Sequence, residues 1–220
     1  MIYPIPQKNN LCGKPVNIKS LEVTGDFRAV AERVLAEYSV DVSGGFKAEF
    51  RLVNSRKTTY IEDIYRLSDE KYFITVAENG ITVEASCEKS AFRAAHTLAK
   101  LIINGELKEG TLEDYPLFRK RGYIEGFYGS TWEQSKRISV MKLMASYGMN
   151  TFFYAPKDDI YHREKWRDFY PEDELASLKS LFETACENML DFNWAIGPGL
   201  TYKYTSDSDF DCLIAKIKSI

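Results

Sequence analysis

Arg121–Trp132, RGYIEGFYGSTW, decides the fold of this chain: a short apolar strand runs into a glycine-flanked aromatic turn and then into residues that open a helix. The design recurs. TFFYAPKDD (Thr151–Asp159) and DFNWAIGPG (Asp191–Gly199) are again apolar strands ending in Gly, Pro, Lys or Asp. The strands are expected at Gly122–Phe127, Thr151–Ala155 and Phe192–Ile196. The intervening segments have helical signatures. Thr131 and Gln134 are spaced as a capping box for a helix over Glu133–Tyr147, with Gly148 just beyond its end. Pro171 introduces a helix over Glu172–Met189 that carries Leu175, Leu178, Leu181, Phe182 and Ala185 on one face. A third amphipathic helix over Asp207–Ile220 places Phe210, Leu213, Ile214 and Ile217 together.

Strands that alternate with helices must pair in parallel, because each crossover returns the chain to the same end of the sheet. About 33 residues per unit gives three units between 118 and 220, against the ~250 residues of a closed eight-unit barrel. The expected fold class is therefore α/β: a small α+β N-terminal domain over residues 1–112, then part of a (β/α)8 TIM-type barrel over 118–220. A small open three-layer sheet is the alternative. Open strand edges lead to the expectation that the isolated chain self-associates.

The N-terminal region reads differently. After an irregular start, Phe27, Val30, Ala31, Val34, Leu35 and Tyr38 recur at helical spacing, with Asp26 placed to cap the first turn. Phe46–Val53 alternates as a strand, and Tyr72–Val76 and Ile81–Ala85 flank Asn79-Gly80, a dipeptide favoured in tight hairpins. A small antiparallel sheet is expected. Ala91, Phe92, Ala95, Leu98, Ala99 and Ile102 form a second helical stripe that Asn104-Gly105 would stop through a left-handed cap. Tyr115-Pro116-Leu117-Phe118 is the linker, since the residue before proline is pushed toward extended backbone.

Composition narrows the functional classes. The chain has 220 residues, 45% hydrophobic and 28% charged, an ordinary globular balance. A formal charge of −3, with basic residues spread along the chain, leaves no electrostatic footprint for nucleic acid or an anionic membrane. Cys12, Cys87, Cys186 and Cys212 lie far apart and read as free thiols. His96 and His162 are the two histidines, with no cysteine nearby, so neither a metal site nor a cofactor is expected. GFYG at Gly126–Gly129 lacks the spacing of a phosphate-binding glycine loop. The beginning MIYPIPQKNN has no signal-peptide pattern and no stretch approaches the ~20 apolar residues of a membrane span. The location expected for the sequence as given is cytoplasmic, or secreted if a signal peptide was removed.

The strand ends IEGFYGSTW, YAPKDDIYHREKWR and AIGPG resemble glycoside hydrolase family 84, the β-N-acetylglucosaminidases that include O-GlcNAcases and enzymes once called hyaluronidases. IYPIPQ and the segment Tyr65–Ile103 resemble the small α/β domain that precedes the barrel in these enzymes, so the likeness covers nearly the whole chain. It implies a TIM barrel, with the sugar site at the C-terminal strand ends. The implied activity is hydrolysis of terminal β-linked N-acetylglucosamine, with an N-acetylglucosamine-containing glycoconjugate as partner.

Carried onto this sequence, the resemblance makes Gly126 a backbone contact to the sugar and Lys157 a donor to a sugar hydroxyl. Both roles suit the residue types: glycine lets a ligand approach the main chain, and an ammonium supplies three donors. Tyr128 is a further substrate contact. Trp132, Trp166 and Trp194 could also stack on a sugar, but aromatic residues in or beside regular elements are more often core. In the family the substrate's own acetamido oxygen attacks the anomeric carbon, with retention of configuration, while one aspartate orients the amide and its neighbour acts as acid and base. That pair ends the fourth barrel strand and is expected beyond Ile220, so no catalytic residue is assigned here. Asp158 and Asp159 follow the second strand and read as structural or supporting carboxylates. The alternative reading is a non-catalytic carbohydrate-binding or assembly protein of the same fold.

Overall fold

The computed structural model describes residues 2–53 and 70–220, in two compact units: Met1–Arg119 with Ser146–Gly148, and Lys120–Ala145 with Met149–Ile220. Of the segment Tyr65–Ile103, residues 65–69 lie outside the described residues.

In the first unit a six-stranded sheet has the order β1-β6-β4-β5-β3-β2. Its strands are β1 (Lys8–Asn10), β2 (Leu21–Thr24), β3 (Phe46–Leu52), β4 (Tyr72–Ala77), β5 (Gly80–Ala85) and β6 (Gly110–Asp114). The expected antiparallel sheet is corrected: β2, β3 and β5 run parallel, while β4, β6 and β1 pair antiparallel. The start is also less irregular than its sequence suggests. Leu21–Thr24 alternates buried and exposed and feeds helix α1 (Arg28–Glu37), which returns to β3 as a parallel crossover.

Leu21, Val23, Ala48, Phe50, Ile74, Val76, Ile81 and Val83 line the buried face. They alternate with outward residues, as a sheet covered on one side requires. Helix α2 (Glu88–Ile103) lays Ala91, Phe92, Ala95, Leu98 and Ala99 into this core.

Two local details differ from the sequence reading. Asp26 does not cap α1, whose N-cap is Phe27 without a side-chain bond; its Oδ2 accepts instead from Leu52 N at 2.7 Å. In the β4–β5 turn Ala77 pairs with Gly80, so Glu78 and Asn79 are the loop residues. Gly80 begins β5, where a Cβ would lie 3.3 Å from the Lys47 carbonyl. The end of α2 does follow expectation: Gly105 has φ 64°, and Gly105 N and Glu106 N donate to Ile102 and Leu101 carbonyls at 3.0 and 2.9 Å. These are the two bonds of a Schellman cap.

The second unit holds a parallel sheet β7-β8-β9, formed by Gly122–Glu125, Thr151–Tyr154 and Asp191–Trp194. Helices α3 (Gln134–Ser146), α4 (Glu172–Glu187) and α5 (Asp207–Ser219) alternate with and follow the strands. The Glu133 carbonyl accepts from Arg137 N at 3.1 Å, which makes Glu133 the cap position of α3 and leaves Thr131 two residues outside it. The Thr131–Gln134 capping box is thereby corrected.

Register places Tyr123, Phe152 and Phe192 side by side, with Glu125, Tyr154 and Trp194 next along the same face. Helices cover that face, and its core joins Met141, Met144, Phe152, Tyr154, Tyr170, Leu178, Leu181 and Ala185. The opposite face carries Ile124, 60% exposed, and Phe153, 36% exposed.

Candidate functional site

The loops after the three parallel strands meet at the C-terminal edge of the second sheet. Lys157 N donates to the Phe127 carbonyl at 3.5 Å, and a Cβ on Gly126 would lie 4.0 Å from the Ala155 carbonyl, so the first two loops lie side by side. Tyr128, 74% exposed, is tethered by Arg163, whose Nη1 donates to its hydroxyl at 3.4 Å; this bond lowers the phenol's pKa. Gly126, Lys157 and Tyr128 are thus linked through one rim.

Gly126 is informative for what it does not require. Its backbone lies outside the left-handed region, and the nearest atom to an added Cβ is Ile124 Cγ2 at 3.2 Å. The backbone itself does not demand glycine there, but an added methyl would press on the exposed Ile124 side chain, which must give by a few tenths of an ångström.

The two adjacent aspartates have different surroundings. Asp158 is exposed. Asp159 accepts four hydrogen bonds: Tyr154 and Tyr170 hydroxyls donate to Oδ2 at 2.9 and 2.7 Å, and Tyr161 N and His162 N donate to Oδ1 at 2.9 and 3.1 Å. With its lone pairs so occupied, Asp159 is held as a bracket for its loop.

Behind the rim sits a buried ion pair that the sequence reading missed. Glu125, 0% exposed, ends β7 and accepts from Arg137 Nε and Nη2 at 2.8 and 2.7 Å. Burial opposes the guanidinium's charge, but this bidentate pairing outweighs it and raises the Arg137 pKa. The guanidinium also lies 5.1 Å over the Tyr154 ring. Burial first, then the charge of Asp159, drives the Tyr154 hydroxyl far above the usual phenol range and fixes it as a donor.

His162 is buried, and its Nδ1 bonds the Ala195 carbonyl. A carbonyl only accepts, so Nδ1 carries the proton. Desolvation lowers the His162 pKa, with that bond opposing. Its own carbonyl accepts from Gly197 N at 2.9 Å, which ties the third loop to the second. Among the tryptophans, Trp166 is fully buried and Trp132 stacks on Tyr123 at 5.3 Å, while Trp194 donates to the Tyr170 hydroxyl at 3.1 Å. Among the described residues no helix is long and apolar enough to cross a membrane.

Comparisons with known proteins agree with this geometry. Residues 121–220 match the family model described as beta-N-acetylglucosaminidase, and residues 2–115, a little over half of the chain, match that of glycosyl hydrolase family 20, domain 2. The Protein O-GlcNAcases of Rattus norvegicus and Mus musculus are each 34% identical over 99 residues, 45% of this chain and 11% of theirs. The solved structure of CpGH84B covers the whole chain with a TM-score of 0.84 at 32% identity, and that of CpGH84D does so with 0.76 at 26%. The chain spans 41% and 42% of those two proteins. With a three-stranded parallel sheet built from strand–helix units, a preceding α+β unit and these matches, the chain belongs to the O-GlcNAcase-type β-N-acetylglucosaminidases of glycoside hydrolase family 84.

Proposed function

We propose that this chain carries the first substrate-holding loops of a β-N-acetylglucosaminidase that removes terminal β-linked N-acetylglucosamine by substrate-assisted, retaining catalysis. Gly126 presents its backbone to the sugar, Lys157 donates to a sugar hydroxyl and Tyr128 borders the opening. In this reading Asp158 and Asp159 are not the two catalytic carboxylates: Asp158 follows the strand end as an exposed side chain and Asp159 is occupied by four donors. The observation that carries the reading is the bond from Lys157 N to the Phe127 carbonyl, which sets the Gly126 backbone and Lys157 in adjacent loops at the same end of the parallel sheet.

The test is the affinity for N-acetylglucosamine of the chain and of its Gly126→Ala and Lys157→Ala variants. Charged hydrogen bonds contribute about 1.5–3 kcal/mol, so Lys157→Ala is expected to weaken binding by about tenfold or more. Gly126→Ala is expected to block approach at only a small cost in melting temperature, because the Ile124 side chain that the new methyl meets is exposed and can shift. Unaltered affinity in both variants would remove these residues from the site.

A further inference from the structure

Two carboxylates near the strand ends, Glu125 and Asp159, belong to one continuous chain of contacts. Glu125 at the end of β7 holds Arg137 of α3, and Arg137 lies over Tyr154 at the end of β8. Tyr154 donates to Asp159, which also receives Tyr170, and Tyr170 receives Trp194 at the end of β9. All three strand ends are therefore joined through polar contacts on the helix-covered face. Arg137, Tyr154 and Tyr170 also line a cavity of about 220 Å³. Tyr154 and Tyr170 are also packed in the core of this unit, so packing and these bonds together hold their positions.

Forward of Asp159 the same carboxylate holds the amides of Tyr161 and His162. His162 then pins Ala195 and Gly197 of the third loop, and Arg163 reaches Tyr128 of the first. Lys157 lies two residues before Asp159 in the second loop.

We propose that Asp159 is the positioning residue of the sugar-binding rim: its carboxylate couples the buried strand-end chain to all three loops and so sets the placement of Lys157 and Tyr128 toward the N-acetylglucosamine. Asp159 touches no substrate in this account; it acts through its neighbours. The proposal rests on the sugar-binding reading above.

Asp159→Asn keeps the size of the side chain but replaces one acceptor oxygen by a donor that faces either two hydroxyls or two amides. Two readouts decide the matter, each compared with Leu190→Ala, a core truncation in the same unit. The first is amide hydrogen exchange at Gly197, whose N–H bonds His162, and at Lys157, whose N–H bonds Phe127. Asp159→Asn is expected to speed both by about tenfold or more, because local opening replaces a held loop, while Leu190→Ala speeds them only as far as it lowers stability. The second is the dissociation constant for N-acetylglucosamine, expected to rise about tenfold in Asp159→Asn and to stay unchanged in Leu190→Ala. Exchange at Gly197 and Lys157 no faster than in a control of equal stability loss overturns the proposal. So does faster exchange with wild-type affinity. A wild-type chain that binds no N-acetylglucosamine overturns the sugar-binding reading, and exchange alone then decides whether Asp159 orders the rim.

Discussion

Arg137→Ala is expected to destabilise the second unit by about 3–5 kcal/mol, the cost of leaving a buried charge without its partner. Glu125 is fully buried and both of its oxygens accept from this one guanidinium. Removing Arg137 leaves the carboxylate at the end of β7, beside Tyr154, without its two charge-assisted bonds. The double variant Glu125→Leu/Arg137→Met is expected to recover most of the loss, since an apolar pair of similar volume fills the site without a charge. Urea unfolding followed by tryptophan fluorescence reads this unit directly, because Trp132, Trp166 and Trp194 all lie within it. A loss below about 1 kcal/mol in Arg137→Ala would mean that the pair is hydrated in solution.

Acid is expected to weaken the first unit through His96. Its Nδ1 and the Tyr38 hydroxyl are 2.9 Å apart, and its buried Nε2 has no hydrogen-bond partner among the described residues. Burial, and then the charges of Lys100, Arg93 and Arg33, push its pKa from 6.5 down to about 3. A histidine held neutral in the fold binds its proton more readily when unfolded, so its stabilising effect is complete above pH 6.5 and is lost as pH falls toward 3. The gap between 6.5 and about 3 corresponds to roughly 5 kcal/mol over the whole range, at about 1.4 kcal/mol per pH unit. Unfolding free energies measured at pH 7, 6, 5 and 4 in the wild type and in His96→Phe isolate this effect from that of the carboxylates. The difference between the two proteins is expected to change by about 1.4 kcal/mol per unit below pH 6. Parallel pH curves would show that His96 binds its proton equally readily in the folded and unfolded states.

The parallel strands of the second unit were legible because each pairs a short apolar run with glycine or proline at its end, and each is followed by a helical stripe. The strands of the first unit were less so. Lys8–Asn10 is polar and exposed, and it is a strand through its pairing with Glu113, Leu112 and Thr111 about a hundred residues away. Reading Leu21–Thr24 as irregular hid the parallel crossover to β3. Asp26 carries a capping residue's chemistry, but a tertiary partner, Leu52 N, takes its carboxylate.

The candidate rim could be named through the family resemblance, which singles out Gly126 and Lys157 in the strand-end loops that also carry Tyr128. Its support could not. PKDD does not reveal which aspartate turns inward, and the donors that distinguish Asp159 include Tyr170, whose own partner Trp194 lies 24 residues further on. Glu125 and Arg137 left a weaker trace, as charges set among the apolar residues of β7 and α3.

The most direct measurement is a titration of the isotopically labelled chain with N-acetylglucosamine, followed by backbone amide shifts, with glucose as the control that lacks the acetamido group. The account predicts saturable shifts at Gly126, Phe127 and Lys157 with a dissociation constant on the order of 1 mM, and weaker effects from glucose. No saturable shift, or shifts confined to the six-stranded sheet, would contradict it.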